Sequence, residues 1–151
     1  MSFKNILCFG TLNPDLIYFV DELPNKGDDI RSLNSSIRPG GTAINCSELI
    51  SLWDKSVHVR GNSIGSDPMG KYLVDYLKEN NINFDGLIIN QSLTPTCSIF
   101  VDSSGERTIV SSGYEGLEWS NFENLNNFDS LIIDRYSIKS VSYTHLTLPT
   151  K

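Results

Sequence analysis

The chain has 151 residues, of which 39% are hydrophobic and 20% charged, and its formal net charge is −6. This composition is typical of a folded globular domain, or part of a larger one, and it excludes a disordered chain. The acidic balance without a Lys/Arg cluster excludes a nucleic-acid-binding surface, and no apolar run approaches the roughly 20 residues that cross a bilayer. Three scattered cysteines fit a reducing compartment. We therefore expect a cytoplasmic protein that binds neither nucleic acid nor membrane.

The first third of the chain predicts three strands separated by polar segments. The opening apolar run ends at Gly10, which is typical of a buried strand. A turn is expected next, because Pro14 pushes the preceding Asn13 out of the helical region. The predicted strands, in chain order, are residues 4–10, 16–20 and 30–38, with an exposed loop at 22–29.

Two glycines then introduce the first predicted helix. Pro39, Gly40 and Gly41 are expected to break the third strand, and Thr42 begins a helix that runs to about residue 53. Helical spacing predicts one apolar face that packs inward. The members of this predicted face are Ala43, Cys46, Leu49, Ile50 and Trp53.

The second predicted helix has a clear beginning and end. Asp67 is a suitable N-cap, Pro68 fits the first helical position, and Asn80–Asn81 is a suitable stop. We expect its buried residues to be Met69, Leu73, Tyr76 and Leu77. The remaining strands are predicted at residues 56–60, 87–90, 96–102, 107–111 and 130–134, and the pair 96–102 and 107–111 is expected to form a hairpin.

The order of these elements predicts an α/β fold. Strands that alternate with helices indicate a mostly parallel sheet with helices on both faces. The strand pairs near residues 16–37 and 96–111 lack intervening helices, so they indicate a separate, small antiparallel sheet.

The turn before the first helix is the most informative stretch for chemistry. Gly40 and Gly41 allow close approach of the backbone to a ligand, and a helix N-terminus offers free N–H groups to hydroxyls or an anion. Asn45, about one turn into the helix, can both donate and accept, which suits a polyol. The alternative is an ordinary strand-to-helix turn in which Asn45 is a local polar filler.

A carboxylate at Asp15 is the second candidate. It follows the end of the first strand and could accept hydrogen bonds from two neighbouring sugar hydroxyls. The alternative is a turn in which Asp15 only bonds the backbone around Pro14.

Two further patterns are rejected. The glycines at 61, 65 and 70 do not have the spacing of a dinucleotide-binding loop. Asn45 and Glu48 match an N-x-x-E string that can hold a metal-bound phosphate, but we expect Glu48 to point away from Asn45.

Three segments together resemble the ribokinase-like sugar kinases, the PfkB carbohydrate kinase family. They are Pro39–Asn45, Gly61–Gly70 with the helix that follows it, and Thr94–Asp102 with the Gly105–Ile109 strand start. The resemblance covers roughly residues 4–134. It implies a Rossmann-like core with a β lid and ATP-dependent phosphoryl transfer to a hydroxymethyl group of a sugar or nucleoside.

The resemblance also implies a set of acceptor-binding positions. Asp134 or Arg135 falls near a further acceptor-contacting position. The lid of this family is often used for dimerisation, so a homodimer is expected. The implied substrate-binding residues are Asp15, Gly40, Gly41, Asn45, Thr96 and Ile99.

This sequence departs from the family pattern in two places. Trp53–Asp54 stands where the family has a glycine after the first helix. The half that carries the anion hole, the catalytic base and most of the ATP site is not recognised here, and no G-x-G-D string occurs. We therefore expect no catalytic residue in this chain, weak or no binding of ATP and Mg²⁺, and no activity alone. The alternatives are a nucleoside kinase, a non-catalytic sugar- or nucleoside-binding module, and a structural dimer.

The expected domain organisation follows from the same pattern. Residues 1–140 are expected to be the N-terminal part of a ribokinase-like kinase domain, with lid strands at about 15–37 and 94–112. Residues 141–151 resemble the translation of an adapter used in DNA sequencing libraries, and we expect them to be a non-native tail.

Overall fold

The computed structural model describes residues 4–53, 55–121 and 123–138, and these form three sheets and two α-helices. The predicted tail at 141–151 lies outside the described residues. Neither helix in the described ranges is long and apolar enough to span a membrane. The elements are β1 (Asn5–Gly10), β2 (Asn13–Phe19), β3 (Asn34–Gly40), α1 (Thr42–Ser51), β4 (Ser56–Gly61), β5 (Ile64–Gly65), α2 (Pro68–Glu79), β6 (Ile89–Asn90), β7 (Thr96–Val101), β8 (Arg107–Ser112), a 3₁₀ turn (Leu125–Asn127) and β9 (Ser130–Ile133).

The main sheet is parallel, as the alternation of strands and helices predicts. Its strand order is β4–β1–β9, and β1 lies in the centre with almost every residue buried. A central parallel strand is covered on both faces, which is why the opening run is continuously apolar. A short parallel pair, β5–β6, lies apart from this sheet.

The helices lie against one face of the main sheet in the described residues. Ile6 and Cys8 share one face of β1 and join a single apolar cluster with residues of both α1 and α2. The opposite face carries Phe9, which stacks on Trp119. The sequence predicted helices on both faces of this sheet. In the described residues the helices cover one face, and the segment after β8 covers the other.

The second sheet, which we call the lid, has the strand order β3–β2–β7–β8. The predicted hairpin β7–β8 is present, and β2–β3 is also antiparallel. The lid is not wholly antiparallel, however, because its central strands β2 and β7 run parallel. The chain leaves the lid after β3 and returns to it at β7, which permits this pairing.

Two predicted boundaries of the lid were wrong. Asn13, Pro14 and Asp15 belong to β2 rather than to a turn, and Pro39 and Gly40 continue β3 rather than break it. Pro14 and Pro39 are directly opposite in the register. In an antiparallel pair, positions whose residues hydrogen-bond each other alternate with positions whose residues do not. Two prolines, which lack N–H groups, are tolerated opposite each other at a position without mutual hydrogen bonds.

The predicted face of α1 was also partly wrong. The buried residues are Ala43, Ile44, Ser47 and Ile50, whereas Leu49 and Trp53 are exposed. Ser47 is tolerated in the interior because its hydroxyl donates to the backbone carbonyl of Ile44 at 2.8 Å.

The boundaries of α2 agree with the prediction. Asp67 accepts a hydrogen bond from the backbone N–H of Gly70 at 2.8 Å, and Pro68 is the first helical residue. The helix ends with Asn80 as the C-cap, and Asn81 adopts a positive φ of 55°. Leu73 and Leu77 are fully buried, while Met69 and Tyr76 are only half-buried.

Candidate functional site

A cleft of about 440 Å³ lies between one face of the lid and the outer side of α1. Strand β2 contributes its alternate residues to this cleft, and α1 contributes polar side chains from its first two turns. The lining residues are Asp15, Ile17, Phe19, Ser36, Arg38, Pro39, Asn45, Glu48, Ile99, Val101 and Arg107.

The register of the lid explains why these side chains meet. Successive residues of a strand point to opposite faces of a sheet. Asp15, Ile17 and Phe19 therefore share a face, and Ile17 and Phe19 lie opposite Ile99 and Val101 in the register. The cleft thus has a polar end beside α1 and an apolar wall along the lid.

Because of the same alternation, Thr96 and Ile99, two of the implied acceptor-binding residues, lie on opposite faces of β7. Ile99 lines the cleft, but Thr96 lies three positions earlier on β7 and has the opposite parity. Thr96 therefore does not line the cleft. Cys97, which pairs with Asp15 in the register, has the parity of Ile99.

Asp15 is a half-buried carboxylate at the polar end of the cleft. Its Oδ1 accepts a hydrogen bond from Nδ2 of Asn13 at 2.6 Å. Burial raises the pKa of Asp15 above its ordinary value, and the bond from Asn13 acts in the opposite direction. Gly40 lies against this carboxyl group, where a Cβ atom would clash with it. The glycine therefore makes room for the side chain.

Gly41 has a different role from Gly40. It adopts a φ of 85° at the N-cap of α1, and a Cβ atom there would meet the backbone of Thr11. The backbone N–H groups of Thr42 and Ala43 donate to Thr11 at 3.2 and 3.1 Å. The expectation that the start of α1 offers these amides to a ligand is therefore wrong, because Thr11 already accepts from both.

Asn45 and Glu48 both line the cleft, although Glu48 was expected to point away. Residues three apart on a helix are neighbours on one face, which explains the error. The charged side chains that the sequence reasoning missed are Glu48, Arg38 and Arg107. Arg38 lies directly opposite Asp15 in the β2–β3 register, which places both side chains on one face of the lid.

Asp134 and Arg135 do not line the cleft. The Asp134 carboxylate is buried and accepts from the backbone N–H of Thr11 at 2.9 Å and from both the N–H and the hydroxyl of Ser137 at 2.7 Å. Burial acts to raise the pKa of Asp134, but these bonds outweigh it and hold the pKa below its ordinary value. Asp134 therefore links the ends of β1 and β9. Arg135 is exposed and lies over the ring of Tyr136.

Two features of the described residues bear on the binding of a phosphate group or a metal ion. Within residues 4–53, 55–121 and 123–138, no group of three or more His, Cys, Asp or Glu side chains could hold a metal ion. The amides of Thr42 and Ala43 are occupied by Thr11, so this start of α1 is not an open phosphate cradle. What the cleft can do is bind hydroxyl groups through a carboxylate and an amide beside an apolar wall.

The chain is similar to known proteins in both sequence and structure. Residues 4–147 match the family described as pfkB family carbohydrate kinase. The chain is 28% identical over 108 residues to a ribokinase of Dictyostelium discoideum, covering 71% of this chain and 34% of that protein. It is 30% identical over 112 residues to the ketohexokinase of Mus musculus, covering 73% of this chain and 37% of that one.

Among solved structures, the chain is similar to an Arabidopsis thaliana ribokinase complexed with ribose and ATP. The TM-score is 0.73 at 19% identity, with 89% of this chain and 46% of that one covered. At this identity the likeness supports the fold alone: a ribokinase-like fold with a mostly parallel sheet, as the sequence predicted. The chain spans about a third of the length of the curated relatives it matches.

Proposed function

Since the chain belongs to the pfkB family of carbohydrate kinases, we propose that it carries the acceptor-binding cleft of an ATP-dependent kinase that phosphorylates a hydroxymethyl group of a sugar. The observation that supports this proposal best is the position of Asp15 and Asn45 at one end of a single cleft walled by the lid. The sequence alone predicts both residues as candidates for binding hydroxyl groups.

The chemistry of the cleft suits a polyol. The ionised carboxylate of Asp15 accepts hydrogen bonds from hydroxyl groups, and such charge-assisted bonds are stronger than neutral ones. Asn45 donates and accepts, so it can bond a third hydroxyl. Ile17, Ile99 and Val101 cover the less polar face of the acceptor and exclude water from it. Together these side chains would hold the acceptor in one orientation, which is the contribution that positioning makes to phosphoryl transfer.

We propose that the rest of the parent protein binds the phosphoryl donor. ATP would supply the phosphoryl group and Mg²⁺ would neutralise its charge in the intact kinase. We propose no binding residue for either group among the described residues, so we assign them no step of the transfer itself. We propose that the chain alone binds an acceptor but does not turn it over. In an ATP-consumption assay with a panel of sugars we expect no activity, and clear turnover would disprove this.

Titration calorimetry tests the acceptor site directly. D-Ribose, D-fructose and adenosine serve as probes, since relatives and structural neighbours include ribokinases and a ketohexokinase, and a nucleoside is the alternative acceptor. We expect at least one probe to bind and Asp15→Asn to weaken it by about 10- to 100-fold, the value of a hydrogen bond to a charged group. Asp29→Asn, in the exposed loop before β3, is the matched control and should bind like wild type. Equal affinity of Asp15→Asn and Asp29→Asn would disprove the proposal.

We also propose that the lid pairs with a second copy of the chain. Its large apolar side chains are unusually exposed: Ile109 is 48% and Val110 55% exposed. Both lie on β8, an edge strand of the lid. Sedimentation velocity should give a dimer for wild type and a monomer for Val110→Lys. Leu52→Lys, which changes an exposed leucine at the end of α1, is the control; a monomeric wild type would contradict the proposal.

We propose a cytoplasmic location because the cysteines of the chain are unpaired. Cys8, Cys46 and Cys97 are all free thiols in the structure. Unpaired cysteines fit a reducing compartment. A fluorescent fusion found in an oxidising compartment would contradict this.

A further inference from the structure

A short chain of hydrogen bonds lies behind the Asp15 carboxylate. The hydroxyl of Tyr114 donates to Oδ1 of Asn13 at 2.8 Å, and Nδ2 of Asn13 donates to Oδ1 of Asp15 at 2.6 Å. Asn13 is only 2% exposed, so it is closed to a ligand in the cleft. Tyr114 is half-buried and comes from the segment after β8, 101 positions along the chain from Asn13. None of the sequence motifs pointed to it.

The direction of each bond in this chain is fixed by chemistry. An ionised carboxylate can only accept, so the amide nitrogen of Asn13 must face Asp15. The amide oxygen then faces Tyr114, whose hydroxyl must donate. Burial raises the pKa of Tyr114 far above its ordinary value, so the phenol keeps the proton that it donates.

The consequence is that Tyr114 supplies the donor for the buried amide oxygen of Asn13 and so reinforces the orientation that the carboxylate requires. Nδ2 of Asn13 also reaches the carbonyl of Pro14, but only at 3.3 Å. Without the hydroxyl, the buried Oδ1 of Asn13 loses its donor, so the amide is held less firmly and its hydrogen bond to the carboxylate of Asp15 is weakened. Oδ2 of Asp15 accepts no hydrogen bond from the described residues, which leaves it available to an acceptor while Oδ1 is held by Asn13.

We propose that Tyr114 is a positioning residue for the acceptor, acting through Asn13 to hold the Asp15 carboxylate with Oδ2 toward the cleft. The role in acceptor binding rests on the proposed function, whereas the effect of Tyr114 on Asp15 does not. Tyr114 is not among the residues that line the cleft.

Other charged and titratable groups surround Asp15 and must be kept constant in a test. Arg38 on β3 and Cys97 on β7 are its register partners, and Cys97 Sγ is 3.6 Å from the Tyr114 hydroxyl. Glu48 on α1 and Arg107 on β8 line the same cleft. Tyr114→Phe removes one oxygen atom and leaves these four side chains in place. A change in the pKa of Asp15 can therefore be assigned to the hydrogen-bond chain.

Carbon-13 NMR of aspartate-labelled chain tests the proposal without any ligand. Loss of a hydrogen bond to the charged form raises the pKa of a carboxyl group. We therefore expect the titration midpoint of Asp15 to be higher in Tyr114→Phe than in wild type. Tyr18→Phe is the matched control, because Tyr18 lies on the opposite face of β2 and stacks on Phe100. An Asp15 midpoint that is the same in all three proteins overturns the proposal.

A measurement on wild type alone covers the case in which Tyr114→Phe does not fold. The side-chain amide signals of Asn13 should shift with the same midpoint as the Asp15 carboxyl, since the two groups are bonded. Asn13 amide signals that do not respond to that titration overturn the proposal.

Calorimetry then separates this proposal from the proposed function. If a sugar binds wild type, Tyr114→Phe should bind it about tenfold more weakly while Tyr18→Phe binds normally. Unchanged affinity in Tyr114→Phe would overturn the positioning role. If no sugar binds wild type, the proposed function fails, and the NMR midpoints still decide whether Tyr114 orients Asp15.

Discussion

Replacement of Gly40 by alanine should displace the Asp15 carboxylate with little strain in the backbone. The added methyl carbon would stand within 2.7 Å of all three heavy atoms of the carboxyl group, about 1 Å closer than an ordinary van der Waals contact. Gly40 is not among the glycines with positive φ, so alanine fits its backbone conformation. The side chain of Asp15 must therefore rotate away and lose its bond from Asn13.

The expected loss is mainly in acceptor affinity. One hydrogen bond to a charged group contributes about 1.5–3 kcal/mol, so affinity should fall about 10- to 100-fold. The free energy of unfolding should fall by only about 1 kcal/mol, because a side chain moves and the strands keep their register. Titration calorimetry and denaturant unfolding of the same preparation measure the two quantities.

Gly105→Ala is the control for this experiment. Gly105 lies in the β7–β8 turn with a φ of 86° and nothing within 4 Å of an added Cβ atom. Alanine there should cost about 1 kcal/mol through backbone strain and leave affinity unchanged. The reasoning would be refuted if Gly40→Ala bound the acceptor as tightly as wild type, or if both variants lost affinity equally.

Three further predictions concern the cap of α2, the pH dependence of binding and the lid. Asp67→Ala removes the cap of α2 and two bonds to Thr94, of 2.9 and 2.6 Å, so denaturant unfolding should show a loss of about 2 kcal/mol. Burial acts to raise the pKa of Asp67, but bonds from Thr94 and the helix hold it below its ordinary value, so its contribution to stability should be lost only as pH falls through that lowered pKa. Because burial raises the pKa of Asp15, acceptor affinity should begin to fall at a higher pH than an ordinary carboxylate would give, and a pH-independent affinity would contradict this. In calorimetry, Thr96→Val should leave acceptor affinity unchanged, whereas Ile99→Ala should lower it several-fold, because only Ile99 faces the cleft. A larger loss of affinity in Thr96→Val than in Ile99→Ala would contradict this assignment of the two faces of β7.

The sequence predicted those parts of the fold that local chemistry decides. The cap at Asp67, the stop at Asn80–Asn81 and the β7–β8 hairpin depend on side chains close to them in the chain. Strand β1 was found because burial on both faces makes its whole sequence apolar. Asp15 and Asn45 were selected from their residue types and their positions beside element ends.

What could not be predicted depends on long-range packing. The inward face of α1 is set by the sheet beneath it, and this buries Ser47 while leaving Leu49 exposed. The strand conformation at Pro14 depends on its pairing with β3, which places Pro39 opposite it. Tyr114 could not be connected with Asn13 because 101 positions separate them. The opposite facing of Thr96 and Ile99, by contrast, follows from alternation within one strand and could have been derived from the sequence.

The parallel contact between β2 and β7 has a kinetic consequence. It brings Asp15 beside Cys97, so about 80 residues, including both helices, separate the two halves of the lid along the chain. Pairings of such large sequence separation form slowly, since the entropy of closing the loop is lost before any contact compensates for it. We therefore expect β1 and β4 to pair early on the ribosome, the cleft to be completed only after β7 and β8 have emerged, and β9 to join the main sheet last.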